Sequence, residues 1–312
     1  MEIDVIIPLY KPGKELFTLL DKLGSQSVPV HQVILLNTEE KYFEQLIYGT
    51  RFLETYQNIK VYHVSKREFD HGGTRRMGVK KSSADVFVMM TQDAMPKDDR
   101  LIEKLVEPLQ GEVVVAYARQ LPREDSTPLE SYTREFNYPA ESRIKSAADL
   151  DSLGIKTFFC SNVCAAYRRE IYEELGGFVR HTIFNEDMIY AAKAVEAGYA
   201  VAYAADAQVV HSHNYTNGQQ FHRNFDLGVS QAEHPEIFAA YPSESEGKRM
   251  VKDVTVYLRS NHMSAGLPHF YMQCACKYAG YLLGKNYRRL PEKWVLAFTS
   301  NKEYWKHNRK DV

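Results

Sequence analysis

Residues 85–96 read DVFVMMTQDAMP. A run of β-branched, aromatic and sulfur-containing side chains, Val86 to Met90, stops at Thr91, Gln92 and Asp93. A buried strand that ends in a lone carboxylate, then a small residue and a proline, has two readings. An aspartate in that place can cap a turn. In α/β sheets it also stands where ligands bind, beyond the carboxyl ends of the strands. The surrounding sequence decides between them.

Upstream, residues 4–10 (DVIIPLY), 31–37 (HQVILLN) and 58–64 (NIKVYHV) have the unbroken apolar character of strands. Between them lie helical patterns at 13–26, with Leu16, Leu19, Leu20 and Leu23 on one face, and at 40–56. A helix over 73–84 leads into the quoted strand, and residues 98–109 and 112–120 add another helix and strand. Apolar strands interleaved with helices predict a parallel sheet covered on both faces. That is the architecture of a nucleotide-binding domain.

The rhythm breaks after Gln120. Residues 121–154 are polar, with three prolines and little strand character, a detour of the kind that serves as a lid or binding loop. A strand and helix return at 158–178, ended by Gly176 and Gly177, and a helix follows at 185–199 with Asn185 as its N-cap. Residues 200–216 read as a strand ending in His211 and His213. Beyond that the pattern is helical, with three helices at 225–241, 248–261 and 269–287 and a polar tail at 301–312 that frays.

With 312 residues the chain can bury a sizeable core, and a net charge of −1 gives no basic field for nucleic acid. Cys160, Cys164, Cys274 and Cys276 have neither zinc-ribbon spacing nor the density of a disulfide scaffold, so they read as reduced thiols of a cytoplasmic protein. The N-terminus is a strand and not a signal peptide, and no apolar run approaches the roughly 18 residues that span a bilayer.

The opening VIIPLY, the strand ending in Asp93, the Asn-Glu-Asp at a helix start and the strand ending in HSH together resemble glycosyltransferase family 2, and within it the bacterial rhamnosyltransferase branch. The resemblance spans roughly residues 1–216 and implies an inverting enzyme of GT-A fold. The expected fold is thus α/β: a Rossmann-like, mostly parallel central sheet flanked by helices, with a catalytic domain at 1–216 and a helical extension at 217–312.

The resemblance also distributes roles. Pro8 and Tyr10 end the first strand, and Tyr10 can pack on a nucleobase or in the core. Asn37 stands where the family has an acidic residue meeting the base or ribose; it can bond a hydroxyl but attracts no charge. Gly72 and Gly73 permit close backbone approach at a helix N-terminus, and Arg75 or Arg76 beside them suits the anionic donor. The family's Asp-x-Asp is here reduced to Gln92-Asp93-Ala94, which keeps one carboxylate for a Mg²⁺ or Mn²⁺ ion. His211 is its expected second ligand, with His213 a contact to phosphate or acceptor. Both histidines point to one face of a strand, since they alternate by two.

Glu186 and Asp187 open a helix, where acids also serve the helix dipole. By family position Asp187 is the general base and Glu186 orients the acceptor. Ser161 and Asn162 are expected contacts to acceptor hydroxyls, above the Gly176–Phe178 turn. The implied reaction moves a sugar from dTDP-L-rhamnose to a glycan or lipid-linked acceptor. A UDP-sugar donor, a sugar nucleotidyltransferase and a carbohydrate-binding module are the rivals. The last helices are left to dock on the inner face of a membrane, pair two subunits or cover the acceptor cleft.

Overall fold

The computed structural model describes residues 1–241 and 244–307; the tail residues 308–312 lie outside this range. The chain forms two compact units. The first comprises Met1–Leu121, Tyr138–His181 and Glu186–His211, and the second comprises Pro122–Asn137, Thr182–Asn185 and Ser212–Val312. Part of the polar detour belongs to the second unit.

In the first unit the strands are β1 (Ile3–Tyr10), β2 (Gln32–Thr38), β3 (Ile59–Val64), β4 (Val86–Met90), β5 (Met95–Pro96), β6 (Val113–Leu121), β7 (Arg143–Lys145), β8 (Cys164–Arg168) and β9 (Ala200–Val210). They make one sheet in the order β3-β2-β1-β4-β8-β6-β9-β5, with β7 also on β9. All five residues of β4 are buried, as its unbroken apolar run requires of a strand covered on both faces. The helix Glu15–Gly24 buries the four leucines expected of it.

Two expectations need correction. The sheet is parallel among β1, β2, β3 and β4 and between β6 and β9, but β8 runs antiparallel to both β4 and β6. β8 follows the long detour rather than a crossover helix, so nothing obliges it to run parallel. The single helix expected at 40–56 is two, Glu40–Ile47 and Phe52–Thr55, separated at Gly49, whose φ of 72° leaves the right-handed helical region.

β5 answers the question posed by Asp93 and Pro96. After β4 the chain turns, with the Ala94 N–H donating to the Thr91 carbonyl, and lays two residues on the far edge of the sheet. Met95 pairs with Val210 and Pro96 with Val209. An edge strand tolerates a proline because the missing N–H faces away from the ladder. The pairing brings the residue two before Met95 next to the residue after Val210. Those residues are Asp93 and His211.

The second unit is helical. It has more helices than the three expected, among them Asn217–Glu233, Glu244–Ser260, Leu267–Lys285, Glu292–Phe298 and Lys302–His307. Thr216 and Gln219 form a capping box at the first of these. Asn185, read from the sequence as a helix cap, instead donates to Ser230 Oγ at 3.1 Å and holds a left-handed φ of 64°.

The helices Asn217–Glu233 and Leu267–Lys285 cross through glycines. A Cβ added to Gly228, Gly280 or Gly284 meets the backbone carbonyl of Tyr281, Phe221 or Phe225 respectively. Backbone gives way poorly, so Gly284→Ala should cost about 1–3 kcal/mol in overpacking despite alanine's better helix propensity. Gly218, in the same bundle, has nothing within 4 Å of an added Cβ, and Gly218→Ala should be neutral or stabilising. Thermal melts of both variants check this; equal melting points would contradict the close crossing.

Candidate active site

At the carboxyl ends of β4 and β9, Asp93 Oδ1 lies 3.5 Å from His211 Nε2, with the carboxylate 38% exposed and the imidazole 10% exposed. The other ring nitrogen of His211 is 3.0 Å from Gln120 Oε1. Gln120 is itself oriented, because its amide nitrogen donates to the Tyr138 hydroxyl at 2.6 Å and to Ser161 Oγ at 3.0 Å. Its carbonyl oxygen therefore faces His211, which makes Nδ1 the donor and leaves a lone pair on Nε2 in the neutral ring.

A lone pair and a carboxylate facing each other call for a cation between them. Two ligands of one octahedral Mg²⁺ or Mn²⁺ ion stand about 3 Å apart, so the observed spacing fits with little movement. The Thr91 hydroxyl at the same strand end is buried without a hydrogen-bond partner among the described residues. One carboxylate and one imidazole suit Mn²⁺ well and Mg²⁺ where other oxygen ligands complete the shell.

Gln120 was not singled out from the sequence, although the signal was there. It is a polar residue closing an apolar strand, as Asp93 is. An outer-shell residue that orients a ligating histidine typically contributes 10–100-fold to metal affinity. Gln120→Leu should therefore weaken Mn²⁺ binding by about that factor while leaving the fold intact. Calorimetric Mn²⁺ titration of the variant reads this directly, and unchanged affinity would show that the ring is oriented by something else.

Beside Ser161 in the chain, Asn162 holds the two acids at the start of the helix Glu186–Glu196. The backbone N–H of Asn162 donates to Asp187 Oδ2 at 2.8 Å, and that of Met188 donates to Asp187 Oδ1 at 2.8 Å. The Asn162 side chain donates to Glu186 Oε1 at 3.0 Å and accepts from the Tyr167 hydroxyl at 2.7 Å. Arg75 Nε lies 3.2 Å from the same Glu186 oxygen.

The two carboxyls are driven apart in acidity. Burial pushes Asp187 up to about 7, reinforced by the negative charge of Glu186 beside it. Burial also acts to raise Glu186, but Arg75, His71 and the Asn162 amide outweigh it and hold that carboxyl below its usual range. Two adjacent acids with opposed shifts mark a division of labour. Asp187 is half-buried and poised near neutrality; Glu186 is a fixed anion.

Several expected contacts are placed elsewhere. Glu186 is 4% exposed and turned onto Arg75, which leaves it no face for an acceptor. Arg75, also buried, is committed to Glu186 and to the His71 carbonyl, so its charge serves the acid pair and not an incoming anion. Arg76 likewise donates to the carbonyls of Gly176 and Phe178. Asn162 is buried and holds the acids rather than a sugar. Asn37 is fully buried and donates to the Glu39 carbonyl, out of reach of a base or ribose.

The glycine-rich helix start has a local explanation too. Asp70 caps the helix His71–Lys81 by accepting from the Gly73 N–H at 2.7 Å, and a Cβ on Gly73 would come within 2.9 Å of the Arg180 carbonyl. Gln92 spends its amide on the Tyr10 backbone, accepting at 2.9 Å and donating at 3.1 Å, which clamps the ends of β1 and β4 together. Tyr10 itself is 42% exposed beside the partly exposed Pro8, its ring edge-on to Tyr42. Ser161 is partly exposed and bonded to Gln120. His213 lies in the second unit, its ring tilted against Tyr215.

The family model described as Glycosyl transferase family 2 matches residues 4–176. The O-antigen chain rhamnosyltransferase RfbN of Salmonella typhimurium is 39% identical over 308 residues, covering 98% of this chain and 96% of the relative. The O-antigen chain rhamnosyltransferase WbaN of Salmonella anatum is 38% identical over 308 residues, covering 96% and 95%. Among solved structures, the mannosyltransferase PcManGT from Pyrobaculum calidifontis, in complex with GDP-Man and Mn²⁺, superposes with a TM-score of 0.56 at 16% identity, covering 97% of this chain and 84% of that one. That likeness is one of fold.

Proposed function

Because the chain belongs to glycosyl transferase family 2, we propose that it transfers L-rhamnose from dTDP-L-rhamnose to a hydroxyl of a growing cell-surface polysaccharide. It is a family 2 glycosyltransferase of GT-A architecture. The observation that carries the mechanism is a single polar network. It runs from the Asp93–His211 pair through Gln120 to Ser161, whose chain neighbour Asn162 donates its backbone N–H to Asp187, whose proton affinity is set near neutrality. Whole-length similarity to two O-antigen chain rhamnosyltransferases supports the choice of donor sugar.

In this reading Asp187 takes the proton of the acceptor hydroxyl as that oxygen attacks the anomeric carbon. The bond from that carbon to the diphosphate breaks in the same displacement, so the configuration inverts. The backbone N–H groups of Asn162 and Met188 hold the carboxylate at a fixed angle, and burial together with the negative charge of Glu186 keeps it basic. A Mg²⁺ or Mn²⁺ ion held by Asp93 and His211 would supply Lewis-acid stabilisation for the departing diphosphate. Tyr10, exposed at the end of β1, is our candidate to stack on the thymine ring.

No helix among the described residues is long and apolar enough to cross a membrane. A cytoplasmic enzyme that meets its acceptor at the inner membrane face belongs to the same proposal. The test is nucleoside diphosphate release across dTDP-rhamnose, UDP-sugars and GDP-mannose. Release from dTDP-rhamnose, stimulated by acceptor, is expected. Release from a UDP-sugar alone would overturn the donor assignment, and release from none would overturn the reaction.

A further inference from the structure

The short strand β7 turns its isoleucine out and its lysine in: Ile144 is exposed and Lys145 is buried. Pairing with β9 sets Lys145 opposite Val201, inside the first unit. The ammonium spends its three hydrogens on neutral oxygens. These are the Phe159 carbonyl at 2.5 Å, the Lys156 carbonyl at 3.0 Å and the Tyr117 hydroxyl at 3.2 Å. The rings of Tyr117 and Phe159 lie 4.8 and 5.9 Å from it. Asp149, the acid that acts on it, is bonded to Arg143 at 2.8 Å. Burial pulls the pKa of Lys145 down to about 7, against the Cys160 thiol and Asp149 and with the help of Arg143 and Lys156. An apolar side chain would fill the place at lower cost, so the bonds that the cation makes need a reason.

Both carbonyls stand at the end of the 3-10 turn Gly154–Phe158, and the helix Glu186–Glu196 packs on that turn. Residues 160–163 follow and belong to neither helix nor strand. This stretch carries the groups that set the site. Ser161 Oγ accepts from Gln120, the Asn162 N–H donates to Asp187, and the Asn162 side chain donates to Glu186. The Phe159 carbonyl and the Cys160 N–H share one rigid peptide plane, so a bond to that carbonyl fixes how the chain enters the stretch. Its far end is held by the Thr91 N–H, which donates to the Val163 carbonyl at 3.1 Å. Lys145 and Asp187 both act on the Cys160 thiol, which burial pushes up to about 12 and keeps protonated.

We propose that Lys145 is a positioning residue for the base: it clamps the carbonyls of Lys156 and Phe159 and so holds the Asn162 N–H on the Asp187 carboxylate. The proposal rests on the glycosyl-transfer reading and deepens it by adding a residue that acts on catalysis without touching substrate. The clamp does not need the charge. A lysine that has lost its proton keeps two hydrogens for the two carbonyls, and the Tyr117 hydroxyl can donate to its lone pair. Asn162 is therefore held on both sides of neutrality.

The experiment compares Lys145→Met with the parent by amide hydrogen exchange and by steady-state kinetics, both on the full chain. Exchange across residues 160–163 should quicken by about tenfold or more, the scale of a lost hydrogen bond to a charged group. The strands β1, β2 and β4 should keep the parent's rates. In kinetics kcat should fall by about tenfold or more, with the donor KM within a few-fold. The rise of rate with pH should also move to higher pH, because the Asn162 N–H is one of the causes that hold the Asp187 pKa down. Lys145→Gln, which keeps two donors on a shorter arm, should show a smaller change of the same pattern and replaces a methionine variant that does not fold. Unchanged exchange at 160–163 overturns the proposal. So does equal acceleration across the whole sheet, the mark of a lysine that only stabilises the fold, and so does local loosening with an unmoved pH profile. Exchange is read without substrate. A parent that releases no nucleotide would sink the transfer reading and leave the clamp to be judged by exchange alone.

Discussion

Asp93→Ala should abolish turnover to within about a thousandth of the parent rate, since Lewis-acid stabilisation of a leaving diphosphate contributes several kcal/mol. The expectation follows from the charge that Asp93 would bring to the proposed metal. His211 Nε2 faces Asp93 at 3.5 Å, and Asp93 brings the negative charge of the pair. Mg²⁺ and Mn²⁺ prefer oxygen ligands and retain waters, so in the proposed site Asp93 and His211 alone would hold the ion weakly until substrate phosphates complete its shell. Metal affinity should accordingly be far higher with nucleoside diphosphate present, and Asp93→Ala should remove that gain. Calorimetry with and without dTDP separates binding from catalysis. Full activity in excess EDTA would defeat the metal role.

The reasons why Asp93 was legible and its supporting residues were not are physical. A carboxylate closing an apolar strand is conspicuous because charge at the edge of a core is costly. The same logic finds His211 at the end of β9. The two meet because β5 adds two residues to the far edge of the sheet, a pairing too short for any periodicity to announce. The fold class was readable from apolar strands alternating with helices, but strand direction was not. A fully buried strand looks the same whether its neighbours run parallel or antiparallel, and β8 shows it.

Among the polar residues, sequence position misjudged who touches what. Arg75 and Glu186 each looked like a group reaching for substrate. They reach for each other, because two charges this deeply buried are tolerated when paired. Asn162 was expected to meet sugar hydroxyls, yet both its backbone and its side chain organise the acids. Asn37 sits where base recognition was expected and is sealed into the sheet. Such partners are distant in the chain, so no local pattern encodes them.

Asp187→Asn should cut kcat by about 10²–10⁴-fold, the range for a lost general base, and leave donor affinity within a few-fold. The pH profile carries the sharper test. A base works only when ionised, so with Asp187 at about 7 the parent rate should rise with pH through neutrality and level off above it. The residual activity of Asp187→Asn should lack that acid limb. Unfolding cannot imitate this result. The raised folded pKa means that ionising Asp187 costs stability, a cost that builds as pH rises from about 4 towards 7. Asn escapes that cost, so the variant should melt no lower than the parent at pH 8.

Glu186→Gln should behave differently in two respects. Removing its negative charge takes away one of the causes that raise Asp187, so the acid limb should move to lower pH. It also leaves the buried Arg75 without its ion pair, a loss of about 3–5 kcal/mol for a broken buried pair, so this variant should melt well below the parent. A Glu186→Gln enzyme that melts normally but is catalytically dead, beside an Asp187→Asn enzyme that still shows the acid limb, would move the base to Glu186.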